Sequence, residues 1–407
     1  MWYLKPNVYL VDGKINAAIY DLNNGELYHI NTEAKELLHR VFNRENSTIS
    51  SEDNIFLKEL FRLNILTTKY SEISDILELY EKPNIDFVWI EVTNICNLKC
   101  IHCYNETSCN VTQIMKLSDF YHIIDELVLN GISKLQIIGG EPFILGERLF
   151  NYLDYCIGKF EYIEIFTNGT LVKENWLKYF KKNNIKIALS VYSYIESMHN
   201  KVTKDNLSWK MTNSTITKLH SYAIEYKVKN VLMKDVMIGE RNTDLYKLSN
   251  RKDIVRLTGR AQLDLLSDDL LKKKLITEKN LVAKLSYSLV KKCVSGHNCF
   301  SRRLYFSSDL TVYPCVMERR INHGNIKDNS LAAIIDDEIF QINKDCIEEC
   351  KECEFRYCCF DCRPDSNGNN LLNKPWYCSY MPMTGEWDKT DEFVQRIKNQ
   401  KVGDNIS

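Results

Sequence analysis

The sequence predicts an α/β protein with a central parallel sheet or barrel and a smaller module at each end. From Asp86 onward, short apolar runs alternate with amphipathic segments, which is typical of strands and helices in a parallel sheet. Before that point, turn dipeptides separate three runs rich in β-branched and aromatic residues. After about residue 290 the apolar periodicity fades and cysteine accumulates. These three observations divide the chain into regions of different character.

The central alternation predicts six strands and four helices. The predicted strands are Phe87–Thr93, Lys134–Ile138, Tyr162–Phe166, Lys186–Val191, Val231–Ile238 and Val255–Thr258. The predicted helices are Ser118–Leu129, Arg148–Ile157, Glu174–Lys182 and Met211–Tyr226. Catalytic and binding residues of parallel sheets and barrels collect at the carboxyl ends of the strands. We therefore expect the functional motifs directly after strands.

The first 80 residues predict a small module of three strands followed by helices. The turn dipeptides Asp12-Gly13 and Asn24-Gly25 are hairpin signals between the three runs. Those runs are Asn7–Leu10, Ile15–Leu22 and Glu26–Ile30. Apolar residues then recur at helical spacing over 34–42 and 56–66, and Thr32 is the expected cap of the first helix. A linker is predicted at residues 80–84.

Composition narrows the functional classes. The 407 residues carry 53 Lys plus Arg against 54 Asp plus Glu, and a net charge of -1 disfavours a nucleic acid partner. No apolar run approaches the roughly 20 residues of a membrane span, and the start of the chain lacks a secretory signal, so a cytoplasmic location is expected. In a reducing cytosol, the 15 cysteines are more typical of metal ligands or catalytic groups than of disulfides.

Three closely spaced cysteines follow the first central strand. Cys96, Cys100 and Cys103 are separated by three and two residues. Iron–sulfur clusters usually take four cysteines, so three suggest a cluster with one iron left open to a substrate or cofactor. The alternative is structural zinc, which would need a fourth ligand, and Cys109 is the poorly spaced candidate.

This loop resembles the signature of the radical S-adenosylmethionine (radical SAM) superfamily. The resemblance implies a partial (β/α)6 barrel and a [4Fe–4S] cluster on Cys96, Cys100 and Cys103, whose open iron binds S-adenosylmethionine. It also implies reductive cleavage of S-adenosylmethionine to a 5′-deoxyadenosyl radical, which abstracts hydrogen from substrate. The cofactor carries that chemistry, and the protein positions the substrate.

Further residues match places where the family contacts S-adenosylmethionine. Each follows a predicted strand, lies at the end of one or lies within the cysteine loop; they are Gly139, Gly140, Glu141, Pro142, Asn168, Ser190 and His102. The family's Gly-Gly-Glu-Pro motif holds the methionyl amine, and glycines permit close backbone approach to a ligand. The other positions resemble ribose and methionyl contacts, and His102 matches a ring near adenine.

The distal cysteines resemble the SPASM domain, a twin-cluster extension of radical SAM enzymes that modify peptides and proteins. The resemblance implies two auxiliary [4Fe–4S] clusters. The first would be held by Cys293, Cys299, Cys315 and Cys362, and the second by Cys350, Cys353, Cys359 and Cys378. The family usually has three residues between the ligands matching Cys359 and Cys362, whereas here there are two, so Cys358 is an alternative ligand. A zinc-ribbon domain is the other interpretation of such cysteine pairs.

The chain also resembles the SPASM maturases of grasp-with-spasm peptide systems, through the segments 353–363, 374–387 and 5–11. It implies modification of a ribosomally made precursor peptide, with a thioether or other crosslink favoured over epimerisation, and an electron donor such as ferredoxin or flavodoxin. An enzyme acting on a small molecule or protein side chain is the alternative. Sulfatase maturases resemble one another in an Asp directly after the cysteine matching Cys315, and this chain has Val316 there. Asp309 or Glu318 could substitute.

The resemblance also gives the expected domains. Residues 1–80 would form a winged-helix-like module that recognises the leader of the precursor peptide by adding its strand to a sheet edge. The alternative for this module is a scaffold that only supports the barrel. The radical SAM barrel would span 85–285, the SPASM domain 290–390 and a tail 391–407.

Overall fold

The computed structural model describes residues 1–45, 49–72, 74–105, 113–247, 253–281, 284–297, 299–368 and 370–403, and Cys109 lies outside them. The described residues pack as two compact units. The first unit combines Met1–Pro83, Leu275–Asn298 and Gln341–Ser407. The second unit combines Asn84–Lys274 and Cys299–Phe340. Both units therefore contain stretches that are far apart in sequence.

The amino-terminal region contains the predicted hairpins. Its elements are β1 (Tyr3–Leu4), β2 (Val8–Asp12), β3 (Ala17–Asp21), β4 (Glu26–Ile30), α1 (Thr32–Phe42), α2 (Ser51–Arg62) and β5 (Leu66–Thr67). β2, β3 and β4 form an antiparallel sheet in that order, as predicted. The predicted cap is wrong, because the Asn31 side chain accepts the hydrogen bond from the Ala34 amide and Thr32 is already helical.

Strands and helices alternate through the central region. The elements are β6 (Phe87–Glu91), α3 (Leu117–Leu129), β7 (Lys134–Ile138), α4 (Arg148–Cys156), β8 (Tyr162–Thr167), α5 (Leu177–Lys182), β9 (Lys186–Ser190), α6 (Glu196–Thr203), α7 (Ser208–Ser221), β10 (Tyr226–Lys229), β11 (Val231–Leu232), β12 (Asp253–Ile254) and α8 (Asp268–Lys274). The remaining elements are α9 (Glu278–Leu281), α10 (Tyr287–Ser295), β13 (Arg303–Phe306), β14 (Val312–Tyr313), α11 (Leu331–Ile335), β15 (Tyr380–Met381), β16 (Glu386–Trp387) and α12 (Thr390–Gly403). None of these described helices is long and apolar enough to cross a membrane.

A seven-stranded sheet organises the second unit. Its order is β10-β9-β8-β7-β6-β13-β14, and all neighbours are parallel except the pair β13 and β14. The sheet therefore has six parallel strands, the number predicted. Two of the six predicted strand positions are nevertheless wrong.

The fifth strand is Tyr226–Lys229 rather than Val231–Ile238. The helix before it ends at Ser221 and Ala223 takes a positive φ of 50°, which turns the chain early and frees Tyr226 to pair with Ile187. The sixth parallel strand is Arg303–Phe306, beside β6. The prediction Val255–Thr258 is wrong, because the chain there forms only the two-residue strand Asp253–Ile254, paired with Val231–Leu232.

The two faces of this sheet differ. Alternate apolar residues such as Val88, Leu135 and Ile165 are buried against the helices in one large core. The opposite face, called the inner face below, carries Trp89, Gln136, Glu164, Lys227, Lys229 and Arg303. Polar and charged groups on a sheet face of an α/β fold indicate that this face serves binding rather than packing.

In the first unit, the amino-terminal sheet is covered on both faces. One face, which includes Ile19, packs on α1 and α2. The other face includes Tyr9 and Tyr20 and packs on Phe355 and Tyr380 of the cysteine-rich segment. The cysteine-rich segment, which has few apolar residues of its own, therefore shares its core with the start of the chain.

Candidate functional site

The loop bearing Cys96, Cys100 and Cys103 follows β6 and is attached to the second unit through its backbone. The Lys99 amide donates to the Thr203 carbonyl at 3.2 Å, and the Ile101 amide donates to the Val202 carbonyl at 3.0 Å. These bonds fix the loop to the end of α6.

The three thiols of this loop are near enough for their charges to interact. Burial raises the pKa of Cys96 to about 11 and that of Cys100 to about 12, and the charge of Cys103 adds to both shifts. Three neighbouring thiols on one loop are a suitable donor set for three irons of a cubane cluster.

Gly139 and Gly140 permit a close backbone approach, but to another part of the protein. The Gly140 amide donates to the Thr93 carbonyl and the Glu141 amide to the Ile95 carbonyl, both at 2.8 Å. A Cβ atom on Gly139 would lie 2.5 Å from the Thr93 oxygen, and one on Gly140 would lie 2.2 Å from the Ile95 oxygen. The two glycines thus join the end of β7 to the chain that enters the cysteine loop.

Glu141 is fully buried and acts as a brace between strand ends. Its carboxylate accepts hydrogen bonds from the Thr167 hydroxyl at 2.7 Å, the Asn168 amide at 2.8 Å and the Phe143 amide at 3.0 Å. Burial raises the pKa of Glu141 to about 7, and the three hydrogen bonds oppose that shift. Its neighbour Pro142 begins a buried turn of 3-10 helix.

Asn168 connects the end of β8 to the cysteine loop. Its side-chain amide donates to the Asn97 side chain at 3.0 Å and lies 3.9 Å from the Cys96 sulfur. Its side-chain oxygen accepts from the Thr170 amide and hydroxyl. The structure therefore brings the predicted residues Glu141 and Asn168 and the cysteine loop together at one edge of the sheet.

Ser190 and His102 meet at Tyr192, a residue that the sequence analysis missed. The side chains of Ser190 and Cys100 both influence the Tyr192 hydroxyl, whose pKa burial raises well above its ordinary value, and the His102 ring lies 4.6 Å from the Tyr192 ring. Burial lowers the pKa of His102 to about 4, helped by the charge of Arg260, so His102 is neutral at neutral pH. The only sequence signal for Tyr192 was its position just after a strand.

Glu91 was also missed. It ends β6, is 3% exposed and accepts hydrogen bonds from the Tyr305 hydroxyl at 2.6 Å, the Ser308 hydroxyl at 2.7 Å and the Asn105 side chain at 2.8 Å. Because Asn105 lies two residues after Cys103, this carboxylate ties the loop to β13. A single acid ending an otherwise apolar strand is the signal that could have identified it.

Four carboxyl-terminal cysteines line one cavity in the first unit, together with Lys344 and Lys374; they are Cys350, Cys353, Cys359 and Cys378. Burial raises the pKa of all four thiols, and the charge of Cys378 raises those of Cys350, Cys353 and Cys359 further. Four thiols around one cavity are the donor set of a [4Fe–4S] cluster.

The remaining predicted ligands are divided between the units. Cys299 and Cys315 belong to the second unit, and the charge of Cys299 adds to the burial that raises the pKa of Cys315 to about 11. Cys293 and Cys362 belong to the first unit. There, burial and then the charge of Cys358 raise the pKa of Cys293 to about 12.

Two parts of the chain match known domain families. Residues 90–248 match the radical SAM superfamily, and residues 298–354 match the SPASM iron–sulfur cluster-binding domain.

Relatives and a solved structure extend this similarity. The chain is 33% identical over 140 residues to the antilisterial bacteriocin subtilosin biosynthesis protein AlbA of Bacillus subtilis strain 168, covering 34% of this chain and 31% of AlbA. It is 28% identical over 196 residues to a cysteine-type anaerobic sulfatase-maturating enzyme of Clostridium novyi strain NT, covering 42% of this chain and 50% of that enzyme. The chain thus spans half or less of the length of these two curated relatives. The structure of Streptococcus suis SuiB bound to precursor peptide SuiA has the same fold, with a TM-score of 0.53 at 13% identity, covering 89% of this chain and 96% of SuiB.

Proposed function

Because this chain carries a radical SAM domain and a SPASM iron–sulfur cluster-binding domain, we propose that it is an enzyme that modifies a ribosomally made precursor peptide by a radical reaction. The modification we favour is a crosslink, with a thioether first. The observation that carries the proposal is the convergence of the three-cysteine loop with Glu141 and Asn168 at the carboxyl edge of the sheet. S-adenosylmethionine and an electron from a donor such as ferredoxin or flavodoxin would be the co-reactants.

The residues at this edge have distinct roles in the proposal. Cys96, Cys100 and Cys103 would hold a [4Fe–4S] cluster, which when bound supplies the electron that cleaves S-adenosylmethionine to a 5′-deoxyadenosyl radical. Gly139, Gly140, Glu141 and Pro142 shape the turn beside the cysteine loop. Asn168, Ser190 and the neutral ring of His102 would orient the methionyl and adenosyl groups.

The cysteines of the SPASM region would hold two auxiliary clusters. The second set, Cys350, Cys353, Cys359 and Cys378, already surrounds one cavity. The first set, Cys293, Cys299, Cys315 and Cys362, follows from the family resemblance. With four ligands each, these clusters would have no open iron, so their role would be electron transfer rather than substrate binding.

The peptide part of the proposal is supported by the amino-terminal sheet. Among the described residues, β4 pairs with β3 and with no other strand, so one of its edges is open. The leader of a precursor peptide would add a strand to that edge, since backbone hydrogen bonds give affinity and alternate side chains give specificity. SuiB, of similar fold, has a structure bound to its precursor peptide, and AlbA is named for bacteriocin biosynthesis. A winged-helix-like recognition module is therefore what we propose for residues 1–80.

Modification of a protein side chain is the second candidate, because a sulfatase-maturating enzyme is among the relatives. Its base would have to be Glu318 or Asp309. Glu318 is 1% exposed and ion-paired with Arg320 at 2.7 Å, and the Asp309 carboxylate accepts from the Ser307 hydroxyl and the Thr311 amide. Both carboxylates are engaged by neighbouring groups, which favours the peptide crosslink over formylglycine formation.

Anaerobic reconstitution tests the proposal. We expect about twelve irons per chain, four for each of three clusters, and 5′-deoxyadenosine formation with dithionite. Replacing Cys96, Cys100 and Cys103 together by Ala should abolish 5′-deoxyadenosine while about eight irons remain. The exposed Cys346 replaced by Ala is the matched control and should change neither result. Bound zinc without cleavage would refute the enzyme, and mass spectrometry of a coexpressed precursor peptide should show a loss of two hydrogens for a crosslink.

A further inference from the structure

The four-cysteine cavity of the first unit, formed around Cys350, Cys353, Cys359 and Cys378, has a positively charged lining. Three cations line it, and no acid does among the described residues; the cations are Lys344, Arg356 and Lys374. Cysteines bind iron as thiolates, so a cluster in this cavity would bring negative charge into a buried place. The lining therefore suits an anionic group, and the three cations differ in how much charge they can offer it.

Two of the cations have a carboxylate of their own. The Arg356 guanidinium lies 2.9 Å from the Asp345 carboxylate. The Lys374 ammonium lies 3.1 Å from the Glu349 carboxylate, whose side chain is half-exposed. Each of these ion pairs already balances the charge of its cation.

Lys344 is the cation with only a part of one carboxylate. It is 4% exposed, and lysine side chains are rarely buried to this extent. Its ammonium lies 2.8 Å from Oδ2 of Asp361, whose side chain is fully buried. The same oxygen contacts the Arg363 guanidinium, and the other oxygen lies 2.9 Å from Nε2 of His297. Because Asp361 is divided among three groups, Lys344 keeps more of its positive charge than Arg356 or Lys374.

The charge of Lys344 acts on the thiols of the cavity. Burial raises the pKa of Cys350 and of Cys359, and the charge of Lys344 is the largest influence that opposes this rise at both thiols. Lys344 therefore stabilises the thiolate form in which these side chains would bind iron.

We propose that Lys344 compensates the negative charge of the cluster in the four-cysteine cavity and thereby raises the reduction potential of that cluster. This inference rests on the proposed function. Reduction adds an electron to a site that is already negative, and a fixed cation in a buried place stabilises the reduced form more than the oxidised form. Lys344 is not a ligand in this proposal, because it acts on the cluster only through its charge.

Redox titration of the reconstituted holoenzyme, followed by electron paramagnetic resonance, tests the inference. The signal of this cluster is the one that Cys359→Ala removes. Lys344→Met should make its reduction about tenfold less favourable, which is a potential about 59 mV lower for one electron. Lys344→Arg should keep the wild-type potential. We expect both variants to hold about twelve irons, which shows that the cluster is present when its potential is measured.

Lys351→Met is the matched control. It removes the same charge from an exposed position between Cys350 and Cys353, where solvent and salt screen it, so the potential should stay unchanged. An unchanged potential in iron-loaded Lys344→Met, or an equal decrease in Lys351→Met, would overturn the inference.

Iron content separates the remaining outcomes. Loss of this cluster from Lys344→Met but not from Lys344→Arg would support charge compensation, because assembly itself would then need the charge. Loss from both variants would show that the side chain serves packing, and would overturn the inference. Zinc in place of iron in the wild-type protein would refute the proposed function together with this inference, whereas 5′-deoxyadenosine formation without peptide tests the proposed function separately.

Discussion

At the scale of single residues, two adjacent cysteines have different environments. Cys359 lines the cavity with Cys350, Cys353 and Cys378. The Cys358 thiol instead accepts from the Tyr20 hydroxyl at 3.5 Å and donates to the Phe355 carbonyl at 3.3 Å. Spacing alone left both as candidates for one ligand position, because it carries no information on which way each side chain points. The surroundings favour Cys359.

We therefore expect Cys359→Ala to lose one cluster and Cys358→Ala to lose none. Removing a ligand should leave about eight of about twelve irons after reconstitution, whereas removing a thiol that only packs beside Tyr20 should leave the iron content unchanged. Iron analysis and electron paramagnetic resonance of the reduced proteins measure both. The reverse pattern, with iron lost only in Cys358→Ala, would move the ligand assignment to Cys358.

At the scale of elements, the sequence predicted the strands that alternate regularly with helices. The bounds of β6 to β9 agree with their predictions to within two residues. β10 and β13 were missed because each has only four residues, and a short strand depends on its neighbours for its pairing. β13 joins β6 from more than 200 residues away, and no local pattern specifies such a pairing.

The turn after β7 gives a prediction at this scale. Gly140→Ala would place a Cβ 2.2 Å from the Ile95 carbonyl oxygen, which is backbone and cannot rotate away. The chain entering the cysteine loop must then move, so we expect loss of the radical-loop cluster and of 5′-deoxyadenosine formation, with about eight irons retained.

Gly131→Ala is the control for Gly140→Ala. Gly131 has a positive φ of 72° but no atom within 4 Å of an added Cβ, so its replacement costs only about 1 kcal/mol of backbone strain. It should keep about twelve irons and full cleavage activity. A Gly140→Ala protein with normal cleavage activity would show that the contact with Ile95 does not position the loop.

At the scale of the whole molecule, the amino-terminal sheet packs against the cysteine-rich segment within the first unit. Tyr20, on β3, is fully buried, and its hydroxyl donates to the Glu354 carbonyl at 2.9 Å in the cysteine-rich segment. The sequence showed that apolar periodicity fades in this segment, but it could not show which part of the chain completes its core. Deleting residues 1–80 would therefore remove part of a shared core as well as the proposed peptide site, and a point substitution separates the two effects.

Tyr20→Ala is that substitution. Truncating a fully buried aromatic side chain leaves a cavity and should lower the free energy of unfolding by about 3–5 kcal/mol. The cavity would lie in the packing that surrounds Cys358 and borders the four-cysteine cavity. We expect a lower thermal denaturation midpoint and faster iron loss from the auxiliary site under anaerobic conditions. Glu26→Ala, at an exposed position on the neighbouring strand β4, is the matched control and should leave both unchanged. If Tyr20→Ala denatures at the wild-type temperature with its iron intact, the cysteine-rich segment does not depend on the amino-terminal sheet for its core, and the deletion becomes a clean test of peptide binding.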